Sequence, residues 1–375
     1  MKYVDEFRDG TLARGLAQTI TAEARPGRTY RLMEFCGGHT HAISRYGIAD
    51  LLPSSVQLIH GPGCPVCVLP IGRIDAAIAL AREHNVILCS YADTLRVPAS
   101  KGVSLQHVRA AGADVRMVYS CADALRIAQD NPSREVVFFA IGFETTTPMT
   151  AAVVMQAAAM GVRNFSVFCN HVLTPPAMSH ILESESDAAL DGLIGPAHVS
   201  TVIGSRPYEK FVSESGCPVA ISGFEPLDVM QSILMLVRQL NDGRVAVENQ
   251  FQRAVTRDGN VKAQAMMAKV FSLRETFEWR GLGEIPASAL RIADDFADFD
   301  AERRFAVGYR SVADPKACEC ASILRGLKRP ADCRVFGTAC TPDHPIGACM
   351  VSSEGACAAH YTYGRHAVTA ITSPN

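Results

Sequence analysis

Two cysteines lie three residues apart in the stretch GPGCPVC, directly behind a run of glycine and proline. This spacing of Cys64 and Cys67 suits a reversible disulfide, half of a zinc site, or ligands for another soft metal. A buried pair of inert thiols is the structural alternative, but GPG predicts a tight, exposed turn. The CPVC spacing also resembles the thioredoxin redox motif, although nothing downstream looks like the rest of a thioredoxin.

A third thiol, Cys36, stands at the end of a β-rich run in EFCGGHTH, where two glycines permit close approach of the backbone. In an open parallel sheet the carboxyl ends of the strands form the ligand crevice, so we expect Cys36 to meet Cys64 and Cys67 there. Three soft ligands plus His39 would hold a transition metal and leave a coordination position free. For His39, a place in the core fits the sequence equally well.

The motif GFETTTP places a carboxylate and three hydroxyls at the predicted start of a helix. Thr147 is the expected N-cap, Pro148 the first helical residue and Gly161 the stop. The motif lacks the lysine and the glycine spacing of a phosphate loop. Because capping alone explains Thr147, Glu144 and Thr145 are the stronger catalytic candidates, either binding an anion or orienting a neighbouring catalytic loop.

Six of the thirteen cysteines fall within forty positions near the carboxyl terminus. Structural zinc normally uses two CxxC pairs, and this segment has none. Singly spaced cysteines fit a [4Fe–4S] cluster better, since its four thiolates converge from several loops. Zinc and buried free thiols are the alternatives. Spacing alone does not choose four ligands from the six, which are Cys318, Cys320, Cys333, Cys340, Cys349 and Cys357.

The elements that would position these residues alternate apolar β-rich runs with helical patterns across residues 29–226. Continuous apolar strands separated by helices are typical of parallel sheets covered on both faces. We therefore predict an α/β fold with two Rossmann-like lobes and a small cysteine-rich C-terminal module. The predicted strands are 29–35, 56–61, 86–90, 115–120, 136–142, 165–171 and 218–224, and the predicted helices include 74–83, 104–112, 121–130 and 148–160.

We expect four divisions along the chain, with lobes that need not be continuous in sequence. Residues 1–125 would form the lobe with the CxxC motif, and residues 126–245 the lobe with GFETTTP. A helical connection is expected over 246–289. The [4Fe–4S] module would then occupy 290–375.

Composition narrows the classes of function. The chain has 375 residues, of which 48% are hydrophobic, so it is long enough to bury a large core. Its 36 basic and 38 acidic residues leave no charge excess to attract nucleic acid or a membrane surface. No signal peptide or membrane span is apparent, so we expect a cytoplasmic protein. Thirteen cysteines in such a chain favour metal or redox chemistry over disulfides.

Four long motifs together make the chain resemble one known family. They are EFCGGHTHAISRYGI, HGPGCPVCVLP, IGFETTTPMTA and DCRVFGTACTPDHPIGACMVSSEGACAAHY, and they occur in the family's order. The sequence closely resembles the hydrogenase maturation factors of the HypD family over essentially the whole chain from about residue 30. The motif thiols show no departure from the family's pattern.

The resemblance implies a scaffold on which the Fe(CN)₂CO group of [NiFe] hydrogenase is assembled. Its implied partners are the small chaperone HypC, the cyanide donor HypE and, indirectly, the hydrogenase large subunit. Its implied cofactors are a [4Fe–4S] cluster and, during assembly, Fe(II) that carries cyanide and CO. Such a protein is a metallocentre-assembly scaffold with redox-active thiols rather than a conventional turnover enzyme.

The resemblance also implies roles for individual cysteines. Cys36 corresponds to the family's iron-binding cysteine, and Cys64 with Cys67 to its redox-active CxxC beside the iron. The family's cluster spacing leaves Cys320 and Cys349 as non-ligands. The implied cluster ligands are Cys318, Cys333, Cys340 and Cys357.

A second class of function fits the same motifs. A stand-alone thiol–disulfide oxidoreductase with a [4Fe–4S] cluster would use Cys64 and Cys67 on diffusing substrates. Such an enzyme needs no third thiol in the cleft, whereas an iron scaffold does. Cys36 is therefore the residue that separates the two hypotheses.

Overall fold

Two parallel β-sheets flanked by helices form the body of the protein. The computed structural model describes residues 5–183 and 189–364. The strands are β1 (Tyr30–Glu34), β2 (Val56–His60), β3 (Ile87–Ser90), β4 (Val115–Met117), β5 (Val136–Gly142), β6 (Phe165–His171), β7 (Gly192–Pro196), β8 (Val219–Ser222), β9 (Val247–Asn249), β10 (Phe271–Leu273), β11 (Thr276–Trp279), β12 (Gly283–Pro286) and β13 (Leu290–Ile292).

Helices connect these strands and cover both sheets. They are α1 (Gly10–Glu23), α2 (Gly37–Tyr46), α3 (Ile48–Leu51), α4 (Pro65–Val68), α5 (Ile71–Glu83), α6 (Ala92–Arg96), α7 (Leu105–Ala110), α8 (Cys121–Asp130), α9 (Thr147–Ala159), α10 (Thr174–Glu183), α11 (Ala197–Ile203), α12 (Arg206–Ser215), α13 (Pro226–Asp242), α14 (Val261–Val270), α15 (Ala301–Arg304), α16 (Cys320–Leu324) and α17 (Ala356–Tyr363). In the described ranges, none of them has the length and apolar character needed to cross a lipid bilayer.

The first sheet has the strand order β2-β1-β7-β8-β9, and the second has the order β4-β3-β5-β6. Every pairing in both sheets is parallel. The α/β prediction with two lobes is thus confirmed. The first lobe is discontinuous in sequence, because β1 pairs with β7, which follows all four strands of the second sheet.

The chain divides between the sheets differently from the expected boundary at residues 125 and 126. That boundary falls between β4 and β5, yet β3 pairs with both of them in a single sheet. Likewise, the segment 246–289, expected to be helical, contains helix α14 together with β9, β10, β11 and β12. Two of these short strands form the antiparallel hairpin β11–β12, and β10 pairs antiparallel with β13.

Composition explains which strands were visible in the sequence. All seven residues of β5 and all seven of β6 are buried, as expected for parallel strands covered on both faces. All seven predicted strands are present. Strand β7 was missed because its sequence, GLIGP, carries two glycines and a proline, which are depleted in strands. Strand β9 has only three residues.

Helix α9 begins one residue earlier than expected. The N-cap is Thr146 rather than Thr147, and neither hydroxyl caps a helical N–H group. Instead, both hydroxyls donate to the carbonyl oxygen of Phe143, at 3.2 Å from Thr146 and 2.9 Å from Thr147. The expected stop is confirmed, since Gly161 follows the helix with a φ of 65°.

A buried ion pair ties the chain after β13 to the sheets. The guanidinium of Arg73 on α5 donates to Glu302 Oε1 on α15 at 2.6 Å and to the carbonyl oxygen of Cys169 on β6 at 2.9 Å. Arg274 also pairs with Glu302. The polypeptide then continues into the cysteine-rich segment, whose described part contains the short helices α16 and α17.

Candidate functional site

A cleft of about 530 Å³ lies where the carboxyl ends of the two sheets face each other. This is the position at which open α/β sheets bind ligands. The cysteine-rich segment closes one side through Ser353 and Glu354, which lie between Cys349 and Cys357. Residues that line the cleft include Cys36, Pro196 and His198 beyond the first sheet, and Asp93, Tyr119 and Thr145 beyond the second.

Cys36 lies in the wall of this cleft, between strand β1 and helix α2. It is the N-cap residue of α2 and has extended backbone angles. Its backbone N–H donates to Glu34 Oε2 at 2.9 Å, and the N–H of Gly37 donates to the carbonyl oxygen of Gly63 at 3.0 Å. The Cys36 thiol is therefore held at a fixed strand-to-helix corner beside the GPG turn.

Gly63 brings the CxxC motif into direct contact with this corner. A Cβ atom at position 63 would lie 2.6 Å from the carbonyl carbon of Phe35 and closer still to the backbone of Cys36. Only a residue without a side chain allows this approach. The predicted meeting of the two motifs at one sheet edge is thus a backbone contact.

Cys64 and Cys67 form a disulfide, with their Cα atoms 5.2 Å apart. Cys64 is the N-cap of α4, and its sulfur accepts a hydrogen bond from the N–H of Cys67 at 3.2 Å. Both sulfurs are buried, while Pro65 and Val66 between them line the cleft. The pair is thus held at the start of the short helix α4, with a backbone N–H directed at the Cys64 sulfur.

Acidic groups surround the Cys36 thiol. Burial raises the pKa of this thiol, and the negative charge of Glu354 raises it further. The pKa of Glu354 is itself raised, first by desolvation and then by Asp93 and Glu34. A cation bound in this cleft would reverse these effects, because it favours the deprotonated form of each group.

His39 lies beneath the cleft rather than in its lining. The ring is fully buried, and its Nε2 atom donates to the carbonyl oxygens of Ser222 at 3.0 Å and Gly223 at 3.1 Å. Burial lowers the pKa of His39, so the ring is neutral with its proton on Nε2. The ring stacks on Phe224, and Phe224 also contacts the ring of the cleft residue His198. These contacts describe a residue that holds α2 against β8.

A buried carboxylate that the sequence did not single out organises the Cys36 corner. Glu34 is fully buried, and it accepts hydrogen bonds from the backbone of Cys36 and from the hydroxyl of Thr40. His60, at the end of β2, lies 2.9 Å from the same carboxylate. A single glutamate in a strand gives no sequence signal of this kind, because its partners come from two other elements.

The two candidates from GFETTTP occupy different environments. Thr145 is exposed and lines the cleft. Glu144 is buried away from the cleft lining and accepts hydrogen bonds from the backbone and the hydroxyl of Thr174, at 2.9 Å and 3.0 Å. Burial raises the pKa of Glu144 to about 7. Glu144 therefore caps helix α10.

Two of the C-terminal cysteines, Cys318 and Cys320, meet at Gly347. A Cβ atom at this position would lie 2.6 Å from the sulfur of Cys320 and closer to that of Cys318. The sulfur of Cys340 accepts a hydrogen bond from the N–H of Ile346 at 3.4 Å. A hydrogen bond with Cys320, followed by burial, raises the pKa of both Cys318 and Cys357. Cys333 lies beside Glu319.

The chemistry of these donors fits an iron–sulfur cluster. Thiols converge from several loops, a backbone N–H already points at one sulfur, and Gly347 leaves a space that a side chain would fill. Among the described residues, no three His, Cys, Asp or Glu side chains are arranged around a point where a single metal ion would sit. A cubane does not require this arrangement, because each of its corner irons takes one thiolate.

Several residues that face the cleft were not predicted from the sequence, namely Asp93, His198 and Glu354. Asp93 lies in the loop and helix that follow β3, a predicted strand, so its position was the available signal. His198 follows β7, which was not predicted, so no such signal was available for it. Glu354 is different, because it reaches the cleft from the cysteine-rich segment. A Cβ atom on Gly37 would lie 2.9 Å from a carboxylate oxygen of Glu354.

Comparison with known proteins places this arrangement in a family. The family model described as HypD, hydrogenase formation hypA family, matches residues 11–364. The hydrogenase maturation factor HypD of Cupriavidus necator is 66% identical over 97% of this chain and 98% of its own length. HypD of Azotobacter vinelandii is 66% identical over 99% of this chain and 100% of its own length. HypD of Escherichia coli K12 is 45% identical over 97% of this chain and 98% of its own length. The chain therefore belongs to the HypD family of hydrogenase maturation factors.

Proposed function

We propose that this hydrogenase maturation factor is the scaffold and redox component on which the Fe(CN)₂CO group of [NiFe] hydrogenase is assembled. One observation carries the proposal. The wall of the cleft that holds the Cys36 thiol is in backbone contact, through Gly63, with the turn that carries the Cys64–Cys67 disulfide. A metal-binding thiol and an electron-storing thiol pair are thus adjacent.

Iron is the substrate in this proposal, and Cys36 is its anchor. Thiolate is a soft ligand that keeps Fe(II) electron-rich, which suits the strong-field ligands cyanide and CO. In the free protein, burial and Glu354 keep the Cys36 thiol protonated. Iron binding must therefore displace this proton, and the adjacent carboxylate of Glu354, with its own raised pKa, is placed to accept it.

The disulfide is the electron store. Its reduction by two electrons and two protons opens the Cys64–Cys67 bond to a dithiol, and reoxidation returns both electrons. The thiol pair therefore cannot ligate iron in every state of the cycle. Cys36, which has no disulfide partner, can do so.

The C-terminal module would hold a [4Fe–4S] cluster through Cys318, Cys333, Cys340 and Cys357. When bound, such a cluster would supply single electrons to the disulfide or to the iron substrate. The module packs on the CxxC helix, since Ala348–Met350 contacts α4. This contact shortens the distance between the two redox centres.

The partners in this proposal are a HypC-type chaperone and a HypE-type cyanide donor, with the hydrogenase large subunit as final recipient. Cys36 supplies a single thiolate, which leaves iron short of the six ligands of an octahedral site. A partner that carries its own cysteine would supply a further ligand at the cleft mouth. The exposed side chains of Met117 and Tyr119 border this mouth.

Two assays together separate this function from that of a stand-alone oxidoreductase. The first measures hydrogenase activity in cells whose only copy of this factor is the wild type or Cys36→Ser, and we expect the variant to abolish maturation. The second measures insulin reduction by purified protein, and we expect no catalytic turnover. Full maturation by Cys36→Ser together with rapid insulin reduction would instead establish the oxidoreductase.

A further inference from the structure

Arg280 has two guanidinium nitrogens without partners in a site closed to solvent. The residue is 3% exposed, and its Nη1 and Nη2 atoms are buried without a hydrogen-bond partner. Only its Nε atom is paired, donating to Asp314 Oδ1 at 2.6 Å. Leaving charged donors buried and unpaired is costly, and native proteins rarely do so. The arrangement indicates that an acceptor belongs beside these nitrogens.

The surroundings of Arg280 locate this acceptor near the cysteine-rich segment. Asp314, which holds the guanidinium, precedes Cys318 by four residues. On the other side, a Cβ atom on Gly281 would lie 2.8 Å from the Cα atom of Ala321 in α16. Arg280 is thus packed between the residues that flank Cys318 and Cys320.

Arg280 also contacts the CxxC helix. Its backbone N–H donates to the carbonyl oxygen of Val68, the last residue of α4, at 2.7 Å. Arg280 therefore bridges the cysteine-rich segment and the CxxC helix.

We infer that the two free guanidinium nitrogens of Arg280 donate to the thiolate sulfurs of the [4Fe–4S] cluster and raise its reduction potential. The inference rests on the proposed cluster site. A cubane with four thiolate ligands is negatively charged, and it gains one further negative charge on reduction. A positive donor next to the sulfurs stabilises the reduced form more than the oxidised form.

The alternative is that Arg280 serves only as the partner of Asp314. That pairing uses only the Nε atom, so it does not explain why Nη1 and Nη2 are buried without acceptors. Arg73, the other arginine that is buried within the described ranges, uses its Nε, Nη1 and Nη2 atoms on three protein acceptors. Arg73 is thus fully paired by the protein, whereas Arg280 is not.

The test is a dithionite titration of the cluster in the full-length protein, followed by electron paramagnetic resonance of the reduced form. Dithionite supplies the one electron that converts [4Fe–4S]²⁺ to [4Fe–4S]⁺. We expect Arg280→Gln to shift the equilibrium between the two forms at least tenfold toward the oxidised cluster. For one electron this shift lowers the midpoint potential by about 59 mV. Arg329→Gln, which removes an exposed charge from the same segment, is the control and should leave the potential unchanged.

Each outcome has a distinct meaning. An unchanged potential in Arg280→Gln, with the cluster intact, overturns the inference and leaves the cluster site standing. A wild-type protein that binds no cluster under anaerobic reconstitution overturns the cluster proposal and the inference with it. If Arg280→Gln loads no cluster, the same titration is carried out on Arg280→Lys, because lysine keeps the positive charge but lacks the two-nitrogen fork. We then expect the equilibrium between the two forms of the cluster to shift at least threefold toward the oxidised form, and a wild-type potential would contradict the inference.

Discussion

Burial is the first cause of a raised pKa at two of the candidate site residues, Cys36 and Glu144. The consequence differs between the two. At Cys36 the effect bears on the proposed iron binding, since a cation would compete with a proton there. At Glu144 no metal or cleft is involved, so the effect appears in the stability of the fold.

Glu144 should make the protein less stable as the pH rises. Its pKa is raised from 4.5 to about 7, so the folded state binds the proton more tightly than the unfolded state. Its stabilising contribution is complete below the unfolded pKa and is lost as the pH rises through the folded pKa. Relative to Glu144→Gln, the unfolding free energy of the wild type should fall by up to about 3 kcal/mol between about pH 5 and pH 8. Urea denaturation at both pH values measures this difference, and a constant difference would contradict the assignment.

At the scale of elements, the site depends on how closely two turns approach. The corner at Cys36 and the GPG turn touch at Gly63. We expect Gly63→Ala to lower the unfolding free energy by about 2–3 kcal/mol, because the methyl group overlaps the backbone of Cys36. It should also change the rate at which iodoacetamide modifies Cys36, because the corner must move.

Gly15→Ala is the matched control for this substitution. A Cβ atom at position 15 meets nothing within 4 Å, and the residue lies in helix α1, where alanine is favoured by about 0.5–1 kcal/mol. Thermal denaturation should therefore show a small stabilisation and an unaltered iodoacetamide rate. A Gly63→Ala protein as stable as the wild type would refute the close contact.

The cysteine-rich segment provides a second prediction at this scale. Cys333→Ala should abolish the broad visible absorbance of a reconstituted [4Fe–4S] cluster, because one corner iron loses its thiolate. Cys320→Ala and Cys349→Ala should keep the absorbance. Since Cys320 makes hydrogen bonds with Cys318 and Cys357, the informative comparison is between Cys320→Ala and Cys318→Ala. Loss of the cluster in Cys320→Ala but not in Cys318→Ala would show that the ligand set is wrong.

The sequence predicted elements better than contacts between them. Long apolar strands such as β5 and β6 were evident, and the placement of Cys36, Cys64 and Gly63 at one sheet edge followed from the rule for parallel strands. The order of strands was not predictable, because β1 pairs with β7 across more than 150 residues of intervening chain. For the same reason no local pattern revealed that Glu354 would reach the Cys36 corner. His39 illustrates a different difficulty, since its type suits a ligand and a core residue equally.

The whole molecule presents its site on one face, where both sheets end. Helix α9 begins at this face and runs away from it, so residues near its carboxyl end lie at the opposite end of the second sheet, near the start of β6. In our proposal, the partner that completes the iron site approaches across the cleft mouth, which Tyr119 and Met117 border.

Tyr119→Asp should weaken co-purification with a HypC-type chaperone at least tenfold. Tyr119 is 86% exposed at the cleft mouth, and buried aromatic anchors contribute about 2 kcal/mol or more to such interfaces. Met160→Asp is the control, because Met160 is 52% exposed at the far end of α9. If Met160→Asp disrupts the complex and Tyr119→Asp does not, the partner docks elsewhere. Isothermal titration calorimetry with purified partner gives the affinities.

In our proposal, Cys36 binds the iron and the Cys64–Cys67 pair stores electrons. Infrared spectroscopy of the purified complex tests this assignment of roles. Cells that make the other maturation factors would provide complexes of the wild type, Cys36→Ala, Cys64→Ala and Cys67→Ala. We expect the cyanide and CO stretching bands to vanish in Cys36→Ala, because no other residue anchors the iron, while the CxxC variants retain some bound iron. A Cys36→Ala complex with the full set of bands, lost only when Cys64 or Cys67 is changed, would contradict the account.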